Sequence, residues 1–281
     1  MLQDSHRPSA TIAKRGAFSM RPRVIVLRAA GTNCDVETAH AFHLAGAEPE
    51  PVHVNRLIER PDMLGSAQIL VVPGGFTYGD DVAAGKVHAV ELTTRLAEPL
   101  HRFVENGGLV LGICNGFQVL VKTGLLPGWD EQTPSFTLTD NLSGRFEDRW
   151  VWLLPSSPRC AFTEDMTEPV CLPVAHGEGR FTASSADALD RLEAQGQVAF
   201  RYVDRDGGKA GYPVNPNGSD RDIAGICDTT GRVLGLMPHP ERHVHPTQHP
   251  QWMRLGLAKE GHGLALFRNA ARAVAEPGVA S

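Results

Sequence analysis

The sequence predicts an α/β fold: an open, mostly parallel sheet with helices on both faces and antiparallel additions. Two observations carry this. Short β-branched and apolar runs bounded by glycine or proline recur at Arg23–Leu27, Ile69–Val72, Leu109–Ile113 and Val198–Val203, the pattern of strands buried on both faces. Helix-length segments separate the first three, and strand-helix alternation implies parallel pairing through right-handed crossovers.

Taken in order, the segment Asp35–Gly46 reads as a helix capped by Thr32 or Asn33 and closed by a glycine. Leu96, Leu100, Phe103 and Val104 form an apolar stripe at helical spacing that stops before Asn106-Gly107-Gly108. The later half alternates less cleanly. Trp150–Leu154, Val170–Val174, Ile223–Cys227 and Val233–Met237 read as strands, several of them antiparallel, and Leu264, Phe267, Ala271 and Val274 suggest a closing helix. No repeat or linker divides the chain, so residues 23–275 are expected to form one domain, between a polar, basic tail at 1–22 and a short tail at 276–281. An open sheet of this kind holds its sites beyond the carboxyl ends of its strands.

Composition narrows the classes. With 281 residues, 42% hydrophobic and 21% charged, the chain can bury a substantial core and is neither disordered nor membrane-spanning in character. A formal net charge of -5 argues against a general nucleic-acid binder, which needs a clustered basic surface. The five cysteines show no CxxC pairing or scaffold density, and residues 1–22 lack the apolar run of a secretory signal; both point to a reducing cytoplasm.

One cysteine stands apart. In Gly107-Gly-Leu-Val-Leu-Gly-Ile-Cys-Asn-Gly-Phe-Gln118, Cys114 falls between a buried strand and a helix-like run, with Gly112 and Gly116 two residues away on either side. This is the pattern of a nucleophile elbow, where small neighbours allow backbone and substrate to approach. A helix start lowers a thiol pKa, and the Asn115 amide can meet a developing oxyanion. The bland alternative is a buried structural cysteine; a nucleophilic one needs a base held close to it.

A base is available in Val233-Leu-Gly-Leu-Met-Pro-His-Pro-Glu-Arg242. In an extended segment His239 and Glu241 project to the same side, which lets the carboxylate orient one ring nitrogen while the other faces the thiol. The crowding of His239, His243, His245 and His249 offers zinc binding as the competing reading, but no cysteine or acidic pair nearby completes a recognised spacing; no metal is expected. A second glycine loop, Pro73-Gly-Gly-Phe-Thr-Tyr-Gly-Asp80, follows another predicted strand. Gly75 is its candidate oxyanion donor, with Gly74 beside it, and the loop lacks the Lys-Ser/Thr ending of a phosphate-binding loop.

Gly112-x-Cys114-x-Gly116-x-Gln118 together with His239-Pro-Glu241 resembles the triad-type (class I) glutamine amidotransferases, whose core is flavodoxin-like. The segments Ala30–Asp35, Gly74–Asp80, Gly112–Gln118, Ala175–Phe181 and Met237–Arg242 are similar to the glutaminase subunits of phosphoribosylformylglycinamidine synthase. The resemblance implies Cys114 as nucleophile, His239 as general base and then acid, Glu241 as orienter, and Gln118 with the backbone near His176 and Gly177 as glutamine contacts. It further implies no cofactor on this chain, with ATP and Mg on a large synthase partner, with or without a small bridging subunit, that converts formylglycinamide ribonucleotide to the amidine in purine biosynthesis. Departures from the compact form are the N-terminal tail and extra length at Asp130–Asp148 and Asp204–Asp220, read either as partner-docking loops or as neutral insertions. Cys34, at a predicted helix start, is read as structural because no histidine-acid pair accompanies it in sequence. The alternative activity is a related amidotransferase or γ-glutamyl hydrolase with another acceptor; a non-enzymatic scaffold is the third reading.

Overall fold

A computed structural model describes residues 21–130, 133–208 and 211–275; the tails at 1–20 and 276–281 lie outside them. The elements in chain order are β1 (Arg23–Arg28), α1 (Asp35–Leu44), β2 (Glu48–His53), α2 (Val54–Glu59), β3 (Ile69–Val72), α3 (Lys86–Arg95), α4 (Ala97–Glu105), β4 (Leu109–Ile113) and α5 (Asn115–Lys122). There follow β5 (Phe136–Thr139), β6 (Glu147–Pro155), β7 (Val170–His176), β8 (Arg180–Ala183), α6 (Ala186–Ala194), β9 (Val198–Val203), β10 (Ile223–Cys227), β11 (Val233–Leu236), α7 (Trp252–Leu255) and α8 (Leu264–Ala275).

Nine strands form one sheet in the order β2-β1-β3-β4-β11-β10-β9-β6-β7. The first five are mutually parallel and the last four are added antiparallel, so the predicted class holds. The central strands β3, β4 and β11 are buried along their whole length, which is why they read as unbroken apolar runs. Phe42 of α1 meets Phe267 of α8 edge-on at 4.9 Å. A two-stranded sheet, β5 with β8, lies over α5 through a stack in which Phe181 sits 6.2 Å from Phe117 and 5.0 Å from Phe136.

Three features go beyond or against what the sequence patterns predict. The strand β2, Glu-Pro-Glu-Pro-Val-His, went unpredicted because its two prolines argue against a ladder; it is an edge strand paired only with β1. The Glu48 N–H donates inward to Pro22 O at 2.8 Å, so alternation turns Pro49 and Pro51 to the open edge, where a missing N–H costs nothing and blunts further pairing. Helix α1 is entered through Cys34, not capped by Thr32 or Asn33: Thr32 Oγ1 accepts from Ala29 N–H at 3.0 Å instead. Finally, β11 joins the parallel core beside β4, with Val233 opposite Val110 and Leu236 opposite Ile113. The loops leaving β1, β3, β4 and β11 therefore open on one carboxyl edge.

Candidate active site

At the end of β4 the chain turns sharply into α5, and Cys114 occupies the turn with φ 51° and ψ -106°. A side-chain-bearing residue at positive φ costs about 1–3 kcal/mol and persists only where its surroundings fix it. Here the Cys114 N–H donates to Leu236 O at 2.8 Å, while its carbonyl accepts from the Phe117 and Gln118 amides. The flanking glycine explains how the turn packs: a Cβ added at Gly116 would lie 1.8 Å from Val72 O. The predicted space around the elbow is thus filled by the protein's own backbone, not left for substrate. The Asn115 amide, at the helix start, donates to no acceptor among the described residues, as an oxyanion donor must.

Leaving β11, the chain brings His239 to the same edge. The imidazole is 2% exposed and Glu241 1%, with His239 Nδ1 2.6 Å from Glu241 Oε1. The pair forms as predicted by another route: Pro240–Arg242 is a turn of 3-10 helix, not extended chain, and the proline opens it. Nε2 is left buried without a partner among the described residues. Burial alone would lower the pKa of His239, but the Glu241 charge and the adjoining Cys114 thiol outweigh it and hold the imidazole well above its usual value. Cys114 Sγ itself lies 3.8 Å from Ala175 O, so β7 forms a wall of the site.

The glycine loop after β3 closes the third side. A Cβ on Gly74 would fall 2.9 Å from His239 Cε1, 3.1 Å from Cys34 Sγ and 3.5 Å from Cys114 Cβ, so Gly74 is the point around which these three side chains gather. Gly75, at φ 149°, is pressed against the Gly31–Asn33 loop, and its N–H donates to no group among the described residues. Thr77 Oγ1 and Asp80 Oδ1 grip the Asn115 amide group at 2.5 and 3.1 Å, tying the glycine loop to the start of α5.

The remaining predicted residues are placed by side-chain scaffolding. Gln118 is buried, donating to Glu178 O at 2.5 Å and accepting from Asn115 Nδ2 at 3.0 Å. The carbonyls of His176 and Gly177 each accept from Asn141 at 2.8 Å, and the His176 ring, driven by burial to a pKa of about 3, is neutral. Cys34, read as structural, is buried but lies at the site and not apart from it. Its thiol sits 4.0 Å from His239 Nδ1 and accepts from Arg242 Nη2 at 3.1 Å, so the fold supplies the histidine-acid pair that the local sequence lacks. Applying the carboxyl-end rule to β1 as well as β4 would have found it. Of the other crowded imidazoles, His243 bonds Cys171 O at 2.7 Å and packs together with His249 against Trp150, while His245 faces His40.

A strained thiol beside an oriented imidazole, with free amides at a helix start, has the parts needed to open an amide by acyl transfer. That chemistry on a doubly wound sheet defines the class. A family model described as "CobB/CobQ-like glutamine amidotransferase domain" matches residues 21–274, and the chain belongs to this glutamine amidotransferase family. A "Phosphoribosylformylglycinamidine synthase subunit PurQ" from Dehalococcoides mccartyi is 49% identical over 252 residues, covering 89% of this chain and 96% of the relative. A protein of the same name from Treponema denticola is 46% identical over 80% of this chain and 89% of its own. Among solved structures, PurLQS from Thermotoga maritima is similar with a TM-score of 0.69 at 32% identity, covering 90% of this chain and 99% of that one.

Proposed function

We propose that this chain is the glutaminase subunit of a phosphoribosylformylglycinamidine synthase, releasing ammonia from glutamine at Cys114 for a synthase partner. The observation that carries the chemistry is the Cys114 elbow set beside the buried His239–Glu241 pair on the adjoining parallel strand. The nature of the product is supported by the 49% identical subunit and by the similarity to PurLQS.

In this reading His239 Nε2 takes the Cys114 proton, and the thiolate attacks the side-chain amide carbon of glutamine. The oxyanion is met by the Asn115 and Gly75 amides, each such donor being worth about 3–4 kcal/mol. His239, carrying the proton and steadied by Glu241, returns it to the leaving nitrogen; ammonia departs and a thioester remains. Water, activated by the same imidazole, then releases glutamate. Gln118 and the backbone at Gly74, His176 and Gly177 border this space, Gln118 by holding the Glu178 carbonyl in place. None of these steps calls on a cofactor of this chain; ATP and Mg serve the partner.

The partner is a large synthase subunit, with or without a small bridging one. The extra segments at 130–148 and 204–220 present Leu142, Phe146 and Tyr212 to solvent, apolar surface suited to docking. Residues 23–275 act as one catalytic domain in this reading. No described helix is long and apolar enough to cross a membrane, and the synthase reading puts the chain in the cytoplasm.

The test is Cys114→Ala in the reconstituted complex. Glutamine-dependent amidine formation should vanish while ammonium-dependent formation persists; loss of both would sink the donor-subunit reading. Robust glutamate release by the lone chain with no effect of a synthase would instead favour a hydrolase.

A further inference from the structure

We infer that Cys34, His239 and Glu241 form a binding site for a soft divalent metal ion such as Zn2+ or Cd2+, and that an ion held there silences Cys114. One donor atom from each of the three residues lies within 4.8 Å of the others, all three side chains being buried. Thiolate sulfur, imidazole nitrogen and carboxylate oxygen are the donor types that zinc takes. The separations suit an ion in the middle. Metal-ligand bonds of about 2.0–2.3 Å in tetrahedral array space the donor atoms about 3.5 Å apart. Cys34 Sγ stands 4.0 Å from His239 Nδ1 and need close only slightly, while Glu241 Oε1, now 2.6 Å from Nδ1, must back away.

Two further observations point to a ligand here. Glu241 Oε2 is buried and has no hydrogen-bond partner among the described residues, so the carboxylate has acceptor capacity that the His239 contact leaves unused. Burial holds the Cys34 thiol above its usual pKa, so it is an incoming cation that would draw off its proton, with the Arg242 guanidinium, 3.1 Å from Sγ and 2.7 Å from Glu37, on hand to steady the thiolate. Because Gly74 has no side chain, the space between the thiol and the imidazole is not filled from the glycine loop.

The proton balance gives the effect. An incoming ion forms bonds to Cys34 Sγ, His239 Nδ1 and the Glu241 carboxylate. The Cys34 thiol releases its proton to solvent, and the proton on Nδ1 is carried instead on Nε2. Two anionic ligands neutralise the ion. An imidazole protonated at Nε2 and metallated at Nδ1 cannot accept the Cys114 proton, so the nucleophile stays a thiol. The silencing rests on His239 being the base of Cys114; the binding of the ion does not.

The experiment is run on the full chain with Cd2+ and Zn2+ as probes. Binding is followed by equilibrium dialysis and by the ultraviolet thiolate-to-cadmium charge-transfer band. Cys114→Ser should still bind one Cd2+ per chain, whereas Cys34→Ser and Cys34→Ala should bind at least about 10-fold more weakly. Saturating Zn2+ should slow alkylation of Cys114 by a glutamine-like diazoketone by about 10-fold or more in the wild type, and by less than about 2-fold in either Cys34 variant, each against its own metal-free rate. Retention of the ion by both Cys34 variants together with its loss in Cys114→Ser or Cys171→Ser would overturn the assignment, as would no binding by the wild type. An ion bound through Cys34 in a chain whose complex makes no use of glutamine would uphold the site and sink the glutaminase reading.

Discussion

Replacing Gly74 by alanine adds one methyl group where the side chains of Cys34, Cys114 and His239 meet. Gly74 is not among the residues at left-handed φ, so the backbone accepts alanine and the whole effect is steric. The new carbon would lie 2.9 Å from His239 Cε1, where ordinary contact begins at 3.4 Å, so the imidazole must yield by about 0.5 Å if ordinary contact is to be restored. A misplacement of about 1 Å at a reacting group costs on the order of 100-fold in rate, so half that predicts a loss of about 10-fold. Overpacking costs about 1–3 kcal/mol of stability, or roughly 2–10 °C in Tm for a chain of this size. The assay is glutamine hydrolysis in the complex, separated into kcat and KM, beside thermal unfolding of the chain. The variant should show a fall mainly in kcat with folding intact. A variant within about 2-fold of wild type would refute the placement of Gly74 against the imidazole.

Glu241→Gln keeps the shape of the orienter but removes its charge; at about 4 Å between charge centres and an effective dielectric near 20 the lost attraction is about 4 kcal/mol. Cys114 alkylation should slow by roughly 1000-fold, and a loss under about 10-fold would count against the triad. Gly116→Ala directs a methyl group to within 1.8 Å of the Val72 carbonyl, a backbone clash that should leave the chain insoluble or lower its Tm by well over 10 °C, read by calorimetry. His88 is buried with neither ring nitrogen partnered among the described residues, and burial lowers its pKa from 6.5 to about 4. The unfolded chain therefore binds the proton first as pH falls, and stability drops between about pH 6.5 and 4, by about 2 kcal/mol at pH 5. His88→Leu should flatten that acid branch in a Tm-against-pH series; parallel curves would contradict the burial argument.

Much of this molecule could be read from its residues because the same few rules fix both pattern and place. The runs Ile69–Val72 and Leu109–Ile113 are continuous because both faces of their strands are covered, and the glycines around Cys114 are there because Val72 O and the turn occupy the space. The His239–Glu241 pairing was legible at a separation of two residues even though its backbone is helical rather than extended. What was missed depends on meetings between distant segments. Cys34 and His239 are 205 positions apart, and only the shared edge of β1 and β11 joins them. The strand β2 hid behind its prolines, since composition does not reveal which side of a strand is paired. The hold of Thr77 and Asp80 on Asn115 gave no local signal, being a contact between two loops.

The direct ladder between β4 and β11 bears on how this protein can vary. Cys114 and His239 leave neighbouring strands whose register is set by backbone pairing from Val110 with Val233 to Ile113 with Leu236, so their spacing does not depend on the length of chain between them. Everything from β5 to β10 is an excursion that departs from one rail of the ladder and returns on the other. Chain length within it can change without moving thiol from imidazole, provided that Asn141 still holds the His176 and Gly177 carbonyls and Asn217 the Gly179 carbonyl. The two reacting groups are thus held by backbone pairing, and the excursion between them is free to vary where it does not touch the site.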